Sequence, residues 1–145
     1  MSLDNDFTNK ELAKLFCGSV LGSGAHRTVY ANALDSNLVI KIEESAKCFS
    51  NIVEWEMWKL SQDTSLGRWL TPCVAISNCG SVLVQRRVQP VRMEEMPKVV
   101  PALFTDLKIE NWGKLDGRIV CCDYGNMLFK PSRAMRKAKW WTLNT

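Results

Sequence analysis

The chain has 145 residues, of which 46% are apolar and 23% charged, and it carries a net charge of +4. Domains most often hold about 100–150 residues, so the length fits one globular domain and excludes a large multidomain enzyme. A chain this apolar and only modestly charged can bury enough surface to offset its ordering entropy, which excludes full disorder.

Six cysteines (Cys17, Cys48, Cys73, Cys79, Cys121, Cys122) include no C-x-x-C pair, no apolar leader follows Met1, and no run approaches the roughly 18 apolar residues of a membrane span. The expectation is a cytoplasmic protein without a membrane partner, whose free thiols act as small core residues. His26 is the one histidine. Zinc sites of the Cys2His2 type and the H-E-x-x-H protease pattern are therefore excluded. A Gly-containing loop around His26 is also a poor place for the base of a nucleophilic triad.

Thr8-Asn9-Lys10-Glu11 has capping-box spacing, with Leu12, Leu15 and Phe16 following at helical intervals, and predicts a short amphipathic helix. Strands are predicted over 17–21, 28–33 and 38–42, separated by Gly22-Ser23-Gly24 and Asp35-Ser36-Asn37, with antiparallel hairpins the economical connection. Residues 49–61 contain no Gly or Pro and are rich in Trp, Met and Leu, which predicts one helix. Two more strands, over 73–77 and 81–86, flank Asn78-Cys79-Gly80. Pro90, Pro97 and Pro101 then leave room only for a connector or one short helix. Segments 111–115 and 118–122 flank Asp116-Gly117, a strong two-residue hairpin signal. Lys130, Arg133, Arg136, Lys137 and Lys139 form a basic tail without an acid, ending in Trp140-Trp141.

Residues able to carry chemistry sit on this frame in a definite order. Gly22 and Gly24 would let a hairpin backbone approach phosphates with no Cβ in the way. Lys41 closes the apolar run Val39-Ile40-Lys41, and Glu54 or Glu56 of Glu54-Trp55-Glu56-Met57-Trp58-Lys59-Leu60 offers a carboxylate to steady it. Asp106-Leu107-Lys108-Ile109-Glu110-Asn111 forms an acidic loop, and Asp123-Tyr124-Gly125 follows the last hairpin.

Taken together, residues 18–125 resemble the eukaryotic-type protein kinase family: a G-x-G loop, a V-A-I-K-like strand, an αC-like E-x-E-x-x-x-L helix, a D-L-K-P-E-N-like loop and a D-F-G-like triplet. The resemblance implies an α+β, protein kinase-like fold. Its parts would be an antiparallel five-stranded N-lobe sheet, an αC-type helix and a strongly truncated C-lobe. Residues 1–145 would form one domain, 1–88 being the N-lobe with its N-terminal helix and 89–145 the reduced C-lobe. It also implies ATP and Mg²⁺ as cofactors. Gly22, Gly24, Val29, Lys41, Gln85 and Arg87 would bind nucleotide, and Asn111 and Asp123 would hold magnesium. Lys41 with Glu54 would position the phosphates, Asp106 would orient the acceptor hydroxyl, and Lys108 would lie beside the transferred phosphoryl. Gln85 would be the gatekeeper before the hinge Arg86-Arg87-Val88, with Val20, Val29 and Ile40 enclosing the base.

The sequence also departs from the family. Arg27 stands where the third loop glycine is usual, and Phe104-Thr105 replace the His-Arg of H-R-D. Only residues 89–105 separate the hinge from Asp106, and 20 residues follow Gly125, without an A-P-E motif. The missing parts normally grip a peptide, so apolar surface must be met by another element or another chain, a homodimer being one arrangement. Compact kinase-like proteins of bacteriophages show comparable abbreviation, which suggests a phage origin and a host cytoplasm. The basic tail reads as a solvated helix anchored by Trp140 and Trp141 in preference to a nucleic-acid or acidic-protein contact. The expected function is a minimal ATP- and Mg²⁺-dependent phosphotransferase acting on Ser or Thr of a protein substrate. The alternative is a pseudokinase-like module that engages or inhibits a partner protein, a host protein included, without catalysis.

Overall fold

The computed structural model describes residues 3–44, 49–127 and 133–143, with side chains from residue 8 onward. Cys48 and Lys130 lie outside the described residues. Strands β1 (Cys17–Ser23), β2 (Arg27–Asn32), β3 (Leu38–Glu43), β4 (Cys73–Ile76) and β5 (Val82–Arg86) form one antiparallel sheet in the order β1-β2-β3-β5-β4. The α+β class and the five-stranded antiparallel sheet implied by the kinase resemblance are both present.

Strand β3 is the centre of this sheet and is buried on both faces. Its register places Val39 opposite Gln85, Ile40 opposite Val84 and Lys41 opposite Leu83. Successive side chains on a strand point to opposite faces. Ile40 and Ile42 accordingly join Val82 in a small apolar cluster on one side. Val39 and Lys41 face the other side, towards a cleft.

Helix α1 (Leu3–Lys14) differs from its expected form. Thr8 lies inside the helix and caps nothing, while Leu12, Leu15 and Phe16 are exposed. The chain turns immediately after Lys14, where Leu15 N–H donates to Leu12 O and Phe16 N–H to Ala13 O. That turn points the large side chains away from the sheet, so Ala13 and Cys17 supply the packing against Ile40 and Ile42.

Helix α2 (Ser50–Ser61) spans β3 and β4 in sequence and packs against β3, β4 and β5. Its buried residues Asn51, Glu54, Met57 and Ser61 recur at helical spacing and define one face. A face carrying a glutamate and an asparagine is unusual for burial, and both residues find partners in the site described below.

Beyond Ser61 none of the described residues lies in an α-helix; 3₁₀ turns and short strands replace them. Strands β7 (Trp112–Leu115) and β8 (Arg118–Cys121) form the expected hairpin. Asp116 at φ 50° and Gly117 at φ 80° take up the left-handed conformations a tight two-residue turn needs. The connector after β5 is tied to this hairpin by reciprocal hydrogen bonds between Gln89 and Lys114, of 2.9 and 2.8 Å.

Two short strands were not expected. Strand β6 (Val99–Pro101) pairs antiparallel with β9 (Met135–Lys137), so the basic tail here is extended and not helical. The physical reason is the supply of partners. Backbone groups of β6 would otherwise be unpaired beside the core, and the returning chain satisfies them. The aromatic anchoring does hold for Trp140, which meets Trp112 edge-on at 5.0 Å and donates its indole N–H to Pro97 O at 2.7 Å. Trp141 remains largely exposed. Trp112 is the hub of this lower core, with Phe104 at 4.9 Å and Trp69 at 6.4 Å. Among the described residues no helix is long and apolar enough to cross a membrane.

Candidate functional site

A cleft of about 1050 Å³ lies between the β1–β2 hairpin and sheet on one side and the segments around Asn111 and Asp123 on the other. Its wall includes Gly22, Gly24, Val29, Lys41, Gln85, Arg87, Lys108, Asn111 and Asp123 from the sequence-derived set. The base-enclosing positions are shifted by one residue from expectation. Leu21 and Val39 line the cleft in place of Val20 and Ile40, because strand alternation turns Val20 to solvent and Ile40 into the opposite cluster.

The buried end of the cleft is built around Glu54. Its side chain is fully inaccessible to solvent and accepts from Lys41 Nζ at 2.8 Å, Arg27 Nη2 at 2.7 Å and the Tyr124 backbone N–H at 3.1 Å. Burial pushes the Glu54 carboxyl up, but the charges of Lys41 and Arg27 outweigh it and hold it below the ordinary carboxylate range. This settles which glutamate of the E-x-E pair serves Lys41, since Glu56 on the same helix is exposed.

Lys41 is itself buried, and its Nζ donates to the carbonyl of Cys122 as well as to Glu54. Cys122 in turn donates its N–H to Asn111 O at 2.8 Å. These contacts join the sheet, α2, the Asn111 turn and the residue before Asp123 in one network. Burial raises the Cys122 thiol to about 11, which removes it as a nucleophile at neutral pH.

The triplet Asp123-Tyr124-Gly125 is fixed at each member. Tyr124 is wholly buried, with its hydroxyl donating to Thr71 O at 2.8 Å and lying 3.3 Å from Cys73 Sγ. A Cβ on Gly125 would come within 2.7 Å of Ser50 Cβ and 2.8 Å of Ser50 O, so only glycine allows α2 to start this close. Asp123 keeps an exposed carboxylate on the cleft wall.

Gly22 and Gly24 differ from Gly125. Neither adopts a positive φ, and a Cβ at Gly22 would meet nothing within 4 Å. Intramolecular geometry alone does not demand glycine there.

Arg27, the residue replacing the third loop glycine, does not point to solvent. Besides Glu54, its guanidinium donates to Asn51 Oδ1 at 3.0 Å and to Asp123 Oδ1 at 2.9 Å. Burial works to lower the Arg27 pKa, and the carboxylates of Glu54, Asp123 and Glu43 reverse that and raise it. The sequence marked Arg27 as a departure from the glycine pattern. Its partners 24, 27 and 96 positions away could not be read there.

The acidic loop is held by the tail. Ile109 N–H donates to Trp141 O at 2.9 Å and Trp141 N–H to Leu107 O at 3.1 Å, while Lys108 Nζ lies 5.9 Å from the Trp141 ring centre. Glu110 Oε1 accepts from Thr142 Oγ1 and from the Leu143 N–H. Asp106 is exposed on this loop and is not among the residues lining the cleft.

Asp123 and Asn111 supply one carboxylate and one amide on the same cleft, a donor type that suits Mg²⁺ when phosphate oxygens complete the shell. Among the described residues no cluster of three or more His, Cys, Asp or Glu could hold a metal by itself. The donors present fit a metal brought with a phosphate ligand, with Asp123 Oδ1 already shared with Arg27.

No protein-family model matches the chain, and no curated protein matches it. Among solved structures, the streptomycin-ATP-APH(2")-IIa ternary complex is similar at a TM-score of 0.45 and 14% identity, covering 64% of this chain. The match takes in 31% of that protein, so this chain corresponds to about a third of its length.

Proposed function

We propose that the chain is a kinase-like nucleotide-binding domain that uses ATP as a phosphoryl donor. The observation that carries the reading is the buried Lys41–Glu54 pair at the end of a cleft with a net basic wall. Arg27, Lys41, Arg86, Arg87 and Lys108 line that cleft against Glu110 and Asp123, with Glu54 behind Arg27 and Lys41 at its buried end. Such a wall suits a polyphosphate and disfavours an uncharged ligand.

Lys41 has three N–H donors and spends two on Glu54 and Cys122 O. The third is available to a phosphate oxygen, and Glu54 keeps the ammonium oriented without itself meeting the ligand. The unconstrained glycines Gly22 and Gly24 leave room for a close phosphate approach. Leu21, Val29 and Val39 offer an apolar wall to a base, with the Arg87 segment as hinge. Gln85 is fully buried beside this wall, and its Oε1 has no hydrogen-bond partner among the described residues.

Asn111 and Asp123 would hold magnesium, whose chemistry is to neutralise charge on the phosphate oxygens during transfer. Asp106 would accept the proton of a Ser or Thr hydroxyl on a protein substrate. The hydroxyl oxygen then bonds the γ-phosphorus as its bond to the β-phosphate oxygen breaks, releasing ADP. Lys108 would meet the developing charge.

Thermal denaturation with ATP tests the binding step. Ligand at about 100 times Kd adds about 2.7 kcal/mol to the folded state, a rise of several degrees. A melting temperature unmoved by ATP, with and without magnesium, would sink the reading. Loss of autophosphorylation in Asp106→Ala tests the chemical step.

The second reading, a module that binds a partner without catalysis, is favoured by one observation: Arg27 occupies Asp123, and Asp106 stands off the cleft. It expects partner capture to survive Lys41→Ala and Asp123→Ala. Loss of capture in folded variants would remove it.

A further inference from the structure

Arg27 is placed where an incoming metal would have to compete. It lies at the start of β2, beneath the turn that Gly24 N–H closes by donating to Arg27 O at 2.9 Å. Its side chain is 10% exposed, against 47% for the Asp123 side chain it reaches. Glu54 already has one counter-charge in Lys41, so Arg27 is a second cation on that carboxylate. For Asp123 it is the one ion-pair partner found among the described residues. The four charges Arg27, Lys41, Glu54 and Asp123 therefore balance to zero.

We infer that Arg27 is a resident cation for Asp123 that lets a triphosphate bind beside this carboxylate without a divalent metal, the metal being required for transfer and not for binding. This rests on the nucleotide reading above. An arginine is suited to the task because its guanidinium stays charged and offers five N–H donors in a fixed plane. Three of them serve Asn51, Glu54 and Asp123, and two remain outside these bonds on a residue that lines the cleft. Two consequences follow from the charge. The chain binds ATP with little dependence on divalent metal, and a free divalent ion binds weakly at Asp123 because it must share Oδ1 with a cation.

The test is calorimetric titration of ATP into the wild type and Arg27→Gln, each in EDTA and in millimolar magnesium. A parallel titration with Mn²⁺ alone is read by water-proton relaxation. For the wild type, the two ATP dissociation constants should agree within about threefold. Arg27→Gln should bind ATP about tenfold or more weakly in EDTA, recover with magnesium, and bind Mn²⁺ about tenfold more tightly than the wild type, as expected for losing charge-assisted bonds and a repelling cation. Wild-type binding that collapses in EDTA overturns the inference and leaves the nucleotide reading standing, and this comparison needs no variant to fold. So does an Arg27→Gln protein that binds ATP in EDTA as the wild type does. ATP binding by neither protein in either buffer removes the nucleotide reading and the inference with it.

Discussion

Replacing Glu54 by Gln is the most direct probe of the buried network. The carboxylate is inaccessible to solvent and accepts from two cations, at 2.7 and 2.8 Å, and from a backbone N–H at 3.1 Å. The amide keeps the shape but leaves Lys41 without a counter-charge, while Arg27 retains Asp123. Breaking a buried pair in this way costs about 3–5 kcal/mol, and the surviving partner of Arg27 argues for the lower figure. For a chain of this length about 3 kcal/mol corresponds to a melting temperature lower by about 10 °C.

The pH dependence gives the same experiment a second readout. The folded Glu54 carboxyl sits below its ordinary value, so the unfolded chain takes up the proton more readily. Its contribution is complete above about pH 4.3, the ordinary glutamate value, and is lost as pH falls through the folded value. Melts followed by circular dichroism should therefore show a wide gap between wild type and Glu54→Gln at pH 7 that closes in acid. Adding Lys41→Met should restore part of the loss by removing the orphaned charge. A Glu54→Gln protein melting within about 2 °C of wild type at pH 7 would refute the argument, since a fully buried carboxylate would then be doing no electrostatic stabilisation.

Three other outcomes are expected. Gly125→Ala should lower stability by about 1–3 kcal/mol in chemical denaturation, because its Cβ meets the Ser50 backbone at 2.8 Å and the start of α2 has to shift. Trp140→Ala should cost about 3 kcal/mol or more, through loss of the Trp112 contact and the hydrogen bond to Pro97 that fasten the tail to the lower core. Cys73 and Cys121 should resist a thiol reagent at pH 8 until denaturant is added, since burial raises Cys73 to about 11 and Cys121 well above its ordinary value; rapid labelling of both in the native protein would contradict their placement.

Much of the fold was legible because its signals are local. The β7–β8 hairpin follows from Asp116-Gly117, whose left-handed backbone few other pairs adopt. The sheet strands follow from short apolar runs between Gly and Asn turns, and α2 from a stretch without Gly or Pro. Strands β6 and β9 were not legible, because each is three residues long and exists only through pairing with a segment more than thirty positions away. The capping-box reading of Thr8 failed for a related reason. The spacing was right, but the helix had already begun at Leu3.

The order of residue types along the chain, through its resemblance to the kinase family, implied an α+β fold and an expected site made of a Gly loop, Lys41, Glu54 or Glu56, Asn111 and Asp123. The single histidine also removed Cys2His2 zinc sites and the H-E-x-x-H pattern. Tertiary structure alone decided how those charges are shared. It chose Glu54 over Glu56, turned Val39 and not Ile40 into the cleft, left Asp106 off its wall, and carried Arg27 across to Asp123. The reason is that a one-residue alternation or a helical face is written locally, whereas an ion pair between residues 96 positions apart is set by the packing that brings a hairpin, a helix and a loop to one point.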